Sequence, residues 1–136
     1  MADRKASTLE AYQLTASRFV KFALVGALGV LVNTALLLTL HGYLGLALIP
    51  ASALAVEVAI IHNFFWNNHW TFGERGASLI RWAKFNLVSL VGLAITTGTL
   101  YALVDRLSIH YLVANLIGIG LATIWNFSLN SAWTWS

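Results

Sequence analysis

Cysteine is absent from the 136 residues, which excludes disulfides, Cys-ligated metal centres and thiol nucleophiles. Charge is nearly as scarce: 10% of the residues are Asp, Glu, Lys or Arg, while 59% are apolar. A soluble domain of this size needs more charge to cover its surface, so composition points to the bilayer. There is also no Ser/His/Asp arrangement, no pair of neighbouring acids and no glycine loop of the kind that cradles phosphate. His62 and His69 could share a helical face, but no carboxylate or thiol accompanies them at ligand spacing, so no metal site is assigned. His41 and His110 read as loop residues. The sequence predicts a chain that is not an enzyme, with no catalytic residue, no cofactor and no nucleic-acid partner.

What the chain has, it states twice. At an offset of 63 residues, Arg18, Lys21, Phe22, Leu24, Val25 and Gly29 fall on Arg81, Lys84, Phe85, Leu87, Val88 and Gly92. The far ends match as well: Asn63, Phe64, Asn67, Trp70 and Thr71 fall on Asn126, Phe127, Asn130, Trp133 and Thr134. Leu and Val coincide easily in any apolar chain, whereas Arg-x-x-Lys-Phe and Asn-Phe-x-x-Asn-x-x-Trp-Thr do not. Each half therefore has a basic pair, two apolar stretches and an amide-and-aromatic signature. Repeats of a membrane unit are a common way of building transporters.

Four stretches, roughly 20–40, 46–65, 84–104 and 111–129, approach or reach the ~20 apolar residues that a spanning helix needs. The first exceeds a signal-peptide core and leads to no small-residue cleavage site, so it reads as a retained helix. His41-Gly42-Tyr43 and Asp105-Arg106-Leu107-Ser108 read as the connections within each half. The expected organisation is a polar N-terminal tail over 1–17 and a membrane domain over 18–136. Within that domain repeat 1 covers 18–72, a linker 73–80 and repeat 2 81–135. With the N-terminus in the cytoplasm, Arg4, Lys5, Arg18, Lys21, Arg75, Arg81 and Lys84 lie inside and Arg106 alone outside. Trp66, Trp70, Trp82, Trp125, Trp133 and Trp135 flank the same side, as an interfacial belt does. The fold expected is an all-α membrane protein of four transmembrane helices in two parallel two-helix repeats, both termini inside.

Four groups of residues could carry chemistry. Glu57 lies about 15 Å of helix from either end of its span, where a carboxylate costs at least about 2.5–3.5 kcal/mol. It reads either as a packing hydrogen-bond donor or as a proton site and polar waypoint. Asn33, with Thr96 and Thr97 at and beside the matching position, reads as an interhelical contact or as the group that orients Glu57. The pairs Arg18/Lys21 and Arg81/Lys84 each put two cations on one face, either as topogenic charges or, together, as a phosphate site. Asn63/Asn67 and Asn126/Asn130 stack at i and i+4, as do Trp66 and Trp70. They suit helix ends and interfaces, and equally the hydroxyls and ring of a sugar. Gly26, Gly29 and Gly92 read as close helix crossings.

These motifs resemble the GtrA-like family of small four-helix membrane proteins. The match rests on Arg-Phe-x-Lys-Phe-x-Leu-Val-Gly over 18–26, Asn-Phe-x-x-Asn-x-x-Trp-Thr-Phe over 63–72, Lys-Phe-x-Leu-Val over 84–88 and Trp-Asn-Phe-x-x-Asn over 125–130. The resemblance implies a role in cell-surface polysaccharide synthesis or modification. It implies translocation of a polyprenyl-phosphate-linked sugar across the cytoplasmic membrane. Arg18, Lys21, Arg81 and Lys84 would take the phosphate; Asn63, Asn67, Asn126 and Asn130, with Trp66 or Trp70, would hold the sugar; Glu57 and Asn33 would serve the midplane. Four helices enclose little volume, so a homo-oligomer is expected. A scaffold partnering a polyprenyl-phosphate glycosyltransferase is the alternative, and a small proton-coupled exporter is a third reading.

Overall fold

The computed structural model describes residues 2–136, with side chains from Ser7 onward, so Arg4 and Lys5 lie outside the described side chains. Among the described residues all regular structure is helical: α1 (Ala2–Leu37), α2 (Leu48–Trp66), α3 (Leu79–Tyr101) and α4 (Tyr111–Leu129). Each helix widens at its C-terminal end into a π turn, at Leu38–Tyr43, Asn67–Thr71, Ala102–Arg106 and Asn130–Thr134. With these turns the apolar helices cover Ser7–Tyr43, Leu48–Thr71, Leu79–Arg106 and Tyr111–Thr134. All four are long and apolar enough to cross a membrane, in which a helix satisfies its backbone without water. The chain is an all-α membrane protein.

It divides into two compact units, Met1–Ala77 and Ser78–Ser136. Each is a helical hairpin, α1 packed on α2 and α3 on α4. Local chemistry sets the helix starts. Ser78 accepts the Arg81 backbone N–H at 3.5 Å ahead of α3, and His110 accepts that of Leu112 at 3.3 Å ahead of α4. Pro50 falls in the first turn of α2, where a missing N–H removes no helical bond.

The hairpin bends lie further along the chain than the sequence suggests. His41-Gly42-Tyr43 and Asp105-Arg106 remain helical, within the π turns. The chain reverses instead at residues 44–47 and 107–110. There the Leu44 and Leu46 N–H groups return to the Thr39 and Leu40 carbonyls, and those of Ser108 and Ile109 to Val104 and Leu103. Each bend needs one left-handed residue, Gly45 (φ 69°) in the first unit and Ser108 (φ 53°) in the second. The first costs nothing and the second is strained.

One seam holds each hairpin. Lipid tails are as apolar as Leu, so helices associate in a membrane only where their backbones approach closely. On α2 the buried residues Ala51, Ala55 and Ala59 recur every fourth position, and on α4 so do Ala114, Gly118 and Ala122. Phe22, Val25 and Gly29 of α1, and Phe85, Val88 and Gly92 of α3, are buried as well, with Gly29 facing Asn63 and Gly92 facing Asn126 beyond these small residues. Gly118 meets the Thr96 backbone, and Thr96 Oγ1 donates to the Gly118 carbonyl at 3.4 Å and to that of Gly92 at 3.2 Å.

The fourfold spacing runs on through Asn63, Asn67 and Thr71 in the first unit and Asn126, Asn130 and Thr134 in the second. Four residues overshoot one α-helical turn, so a strict period of four drifts around the helix. A π turn takes more residues per turn and corrects this drift. Asn67 and Thr71, like Asn130 and Thr134, therefore stay buried at the end of the stripe.

A Cβ at Gly29 would overlap the Asn63 carboxamide, and one at Gly92 that of Asn126, whereas Gly26 has open space around it. Gly29→Ala is expected to cost about 1–3 kcal/mol of stability through this overpacking. Thermal unfolding in detergent of Gly29→Ala, Asn63→Ala and the double variant checks it. The double variant is expected to lose less than the sum of the singles, whereas strict additivity would show that the two residues do not touch.

Candidate functional site

The amides expected to hold a sugar are built into the seam. Asn67 and Asn130 are 1% and 0% exposed, and each Oδ1 accepts a hydroxyl from four residues on. Thr71 Oγ1 donates at 2.8 Å and Thr134 Oγ1 at 2.7 Å. Asn63 and Asn126 are half-buried against Gly29 and Gly92. Asn68, which the sequence did not single out, is fully buried. Its Nδ2 donates to the Gly76 carbonyl at 3.2 Å while its own carbonyl accepts the Glu74 N–H at 2.8 Å. That ties the connecting segment to the helix end. The signal for Asn63 and Asn67, and for Asn126 and Asn130, was the fourfold stripe, which begins in small residues twelve residues before the first amide of each pair; Asn68 lies off that stripe.

The two units satisfy their amides differently. In the first, His62 Nδ1 donates to Asn63 Oδ1 at 3.2 Å. In the second, Trp125 stands at the position of His62 and Ser131 at that of Asn68. There Asn126 Oδ1, Asn130 Nδ2 and Ser131 Oγ are buried with no hydrogen-bond partner among the described residues. His69 Nδ1 donates separately to the Phe65 carbonyl at 2.9 Å, so the two histidines once weighed as metal ligands serve different neighbours.

The basic pairs lie half-buried among the aromatic residues of the same unit. The Arg18 guanidinium carbon is 5.9 Å from the centre of the Phe72 ring, and Lys21 Nζ is 5.6 Å from that of Trp70. In the second unit Lys84 Nζ is 5.2 Å from the Trp133 ring centre and donates to the Trp133 carbonyl at 3.1 Å. Each cation thus meets the C-terminal end of its partner helix, where the macrodipole is negative and ring faces attract positive charge. Arg81 sits in the first turn of α3, and Trp135 packs edge-on to Phe85 at 5.6 Å. Trp66 and Trp70 are 45% and 43% exposed, open to an interface or a ring ligand, although Lys21 already covers one face of Trp70.

Deeper along the helices, Glu57 is half-buried on the flank of the α2 stripe, two residues from both Ala55 and Ala59. Asn33 is also half-buried on α1, and its buried Oδ1 has no hydrogen-bond partner among the described residues. Thr96, 63 residues after Asn33, joins α3 to α4, while Thr97 is exposed. The unit that carries a carboxyl thus has Asn33 on the facing helix, and the other unit has Gly120 at the place of Glu57.

Apolar helical hairpins with cation-and-aromatic ends define a class: multi-pass membrane domains. The chain belongs to the GtrA/DPMS transmembrane domain family, whose sequence profile matches residues 21–135. It is also 41% identical over 121 residues to a dolichol-phosphate mannosyltransferase of Pyrococcus furiosus, covering 88% of this chain and 34% of that protein. The chain therefore spans about a third of the length of this curated relative. That likeness corrects the expectation that the chain is not an enzyme, because the relative is named as one. The expectation drew on missing acids and nucleophiles within four lipid-facing helices. Helices of this kind occur in a protein named for catalysis, so their composition does not decide the question.

Thr71→Val removes the donor to Asn67 Oδ1 and strands a buried acceptor. The expected loss is about 1 kcal/mol, read as a lower detergent melting temperature, with Thr71→Ser restoring most of it.

Proposed function

We propose that the chain handles polyprenyl-phosphate-linked sugars, carrying the lipid-linked sugar across the membrane for cell-surface polysaccharide synthesis or modification. The observation that carries this reading is the pairing of Arg18 and Lys21 over the Phe72 and Trp70 rings at one end of a lipid-facing hairpin. Cations there meet a phosphate at the depth of lipid head groups, while the exposed apolar helix faces accept an isoprenoid tail. Exposed Trp66 and the free face of Trp70 suit a sugar ring. Glu57 supplies a polar station between the two surfaces, where any charge is costly and rarely without use. The likeness to a dolichol-phosphate mannosyltransferase supports the choice of a polyprenyl phosphate as the lipid.

In this reading the basic ends face the cytoplasm, both termini lie inside, and the host membrane is the cytoplasmic one. The working form is a homo-oligomer, since two hairpins enclose little room for a moving head group. The second reading, favoured by the relative's name, is that the helices serve a polyprenyl-phosphate glycosyltransferase by holding its lipid acceptor.

Proteoliposomes loaded with a labelled polyprenyl-phosphate hexose separate the two. The parent chain is expected to expose the inner-leaflet sugar to a membrane-impermeant oxidant at least about tenfold faster than empty vesicles, and Glu57→Gln to lose most of that gain. A rate equal to that of empty vesicles overturns translocation. Stimulation of a glycosyltransferase that survives Glu57→Gln then establishes the second reading.

A further inference from the structure

The two basic pairs are identical in sequence and spacing, yet the structure engages them differently. Lys84 is tied down. It gives one of its three donors to the Trp133 carbonyl and lies against the Trp133 ring. Trp133 belongs to the π turn Asn130–Thr134 that ends α4, where carbonyls lack helical partners. An ammonium at that point satisfies a backbone acceptor and offsets the negative end of the helix dipole. These are the contacts of a helix-end lock.

Arg18 and Lys21 share the ring contact and the helix-end position but not the bond to a backbone carbonyl. Both are half-buried, both lie against a ring, and among the described residues neither donates to an oxygen. Two half-buried cations one helical turn apart thus leave the five N–H groups of a guanidinium and the three of an ammonium without a protein acceptor. Groups of this kind are satisfied by water or by an anion. The rings of Phe72 and Trp70 shield one side of the pair, which directs the open donors to the other. A guanidinium takes two phosphate oxygens at once, and an ammonium on the same face reaches a third.

We propose that the first unit alone takes the lipid's phosphate, through Arg18 and Lys21, and that Lys84 is a structural lock in the second unit. The assignment rests on the functional reading above in taking the ligand to be a polyprenyl phosphate. It goes beyond that reading in dividing the labour between two pairs that the sequence presents as equals.

The test uses the full chain in detergent, titrated with dolichyl phosphate, with phosphatidylglycerol and with inorganic phosphate, alongside its melting temperature. Lys21→Met is expected to weaken dolichyl phosphate binding about tenfold and to leave the melting temperature within a degree or two. Lys84→Met is expected to lower the melting temperature by several degrees while the affinity of the folded protein stays within about twofold. Lys84→Arg, which keeps a donor and a ring contact, is expected to restore the melting temperature. Equal loss of affinity in Lys21→Met and Lys84→Met overturns the division of labour and leaves the functional reading standing. A parent that prefers phosphatidylglycerol, or binds no dolichyl phosphate, overturns the functional reading and the lipid assignment with it. Inorganic phosphate bound in a Lys21-dependent way would still support the anion site at Arg18 and Lys21.

Discussion

Everything in each hairpin depends on how closely two helices can approach in a solvent that does not push them together. Lipid supplies no hydrophobic force between apolar surfaces, so association rests on van der Waals contact and interhelical hydrogen bonds. Gly29 beneath Asn63 and Gly92 beneath Asn126 give that approach its shortest points. The alanines above them extend it, and the amide–hydroxyl pairs below bury polar groups only because they bond to each other. The π turns follow from the same demand. A period of four cannot stay on one face of an α-helix for more than twenty residues, so the helix widens where the stripe ends.

The seam also fixes where the charges go. Once Asn67 and Thr71 are buried, Trp70 and Phe72 fall on the rim, beside the residues one turn before Phe22 and Val25 on α1. Arg18, Lys21 and Lys84 therefore meet ring faces at the C-terminal ends of the partner helices. In water such contacts are modest; beside a bilayer they gain from the lower dielectric. The two lysines are engaged unequally at these ends: Lys84 donates to the Trp133 carbonyl, whereas Lys21 meets only the Trp70 ring among the described residues.

The four spans were legible because their length and apolarity have one physical explanation in a chain this poor in charge. The glycines at 29 and 92 were legible for a related reason, since an apolar helix uses Gly where a neighbour comes near. The bends were not: Gly42 looks like a break, but the reversal is set by backbone bonds around Gly45 and Ser108. The amides were open to two readings. Asn63 and Asn67 share a helical face in either reading, and only the continuation of that face through Ala51, Ala55 and Ala59 shows that it turns toward a partner helix. The difference between Lys21 and Lys84 could not be read at all, because it lies in a backbone carbonyl of a π turn. The expectation about catalysis failed for another reason: missing side chains describe these helices, and a related sequence forms part of a protein named for its chemistry.

The length of α1 has a geometric side. Its 36 residues make a rod of about 54 Å, against about 30 Å of hydrocarbon. The surplus is continuous with the part that carries Arg18, Lys21 and Gly29. Because α1 runs unbroken from Ala2 to Leu37, the direction of its surplus length and the placing of Arg18, Lys21 and Gly29 are one geometric choice.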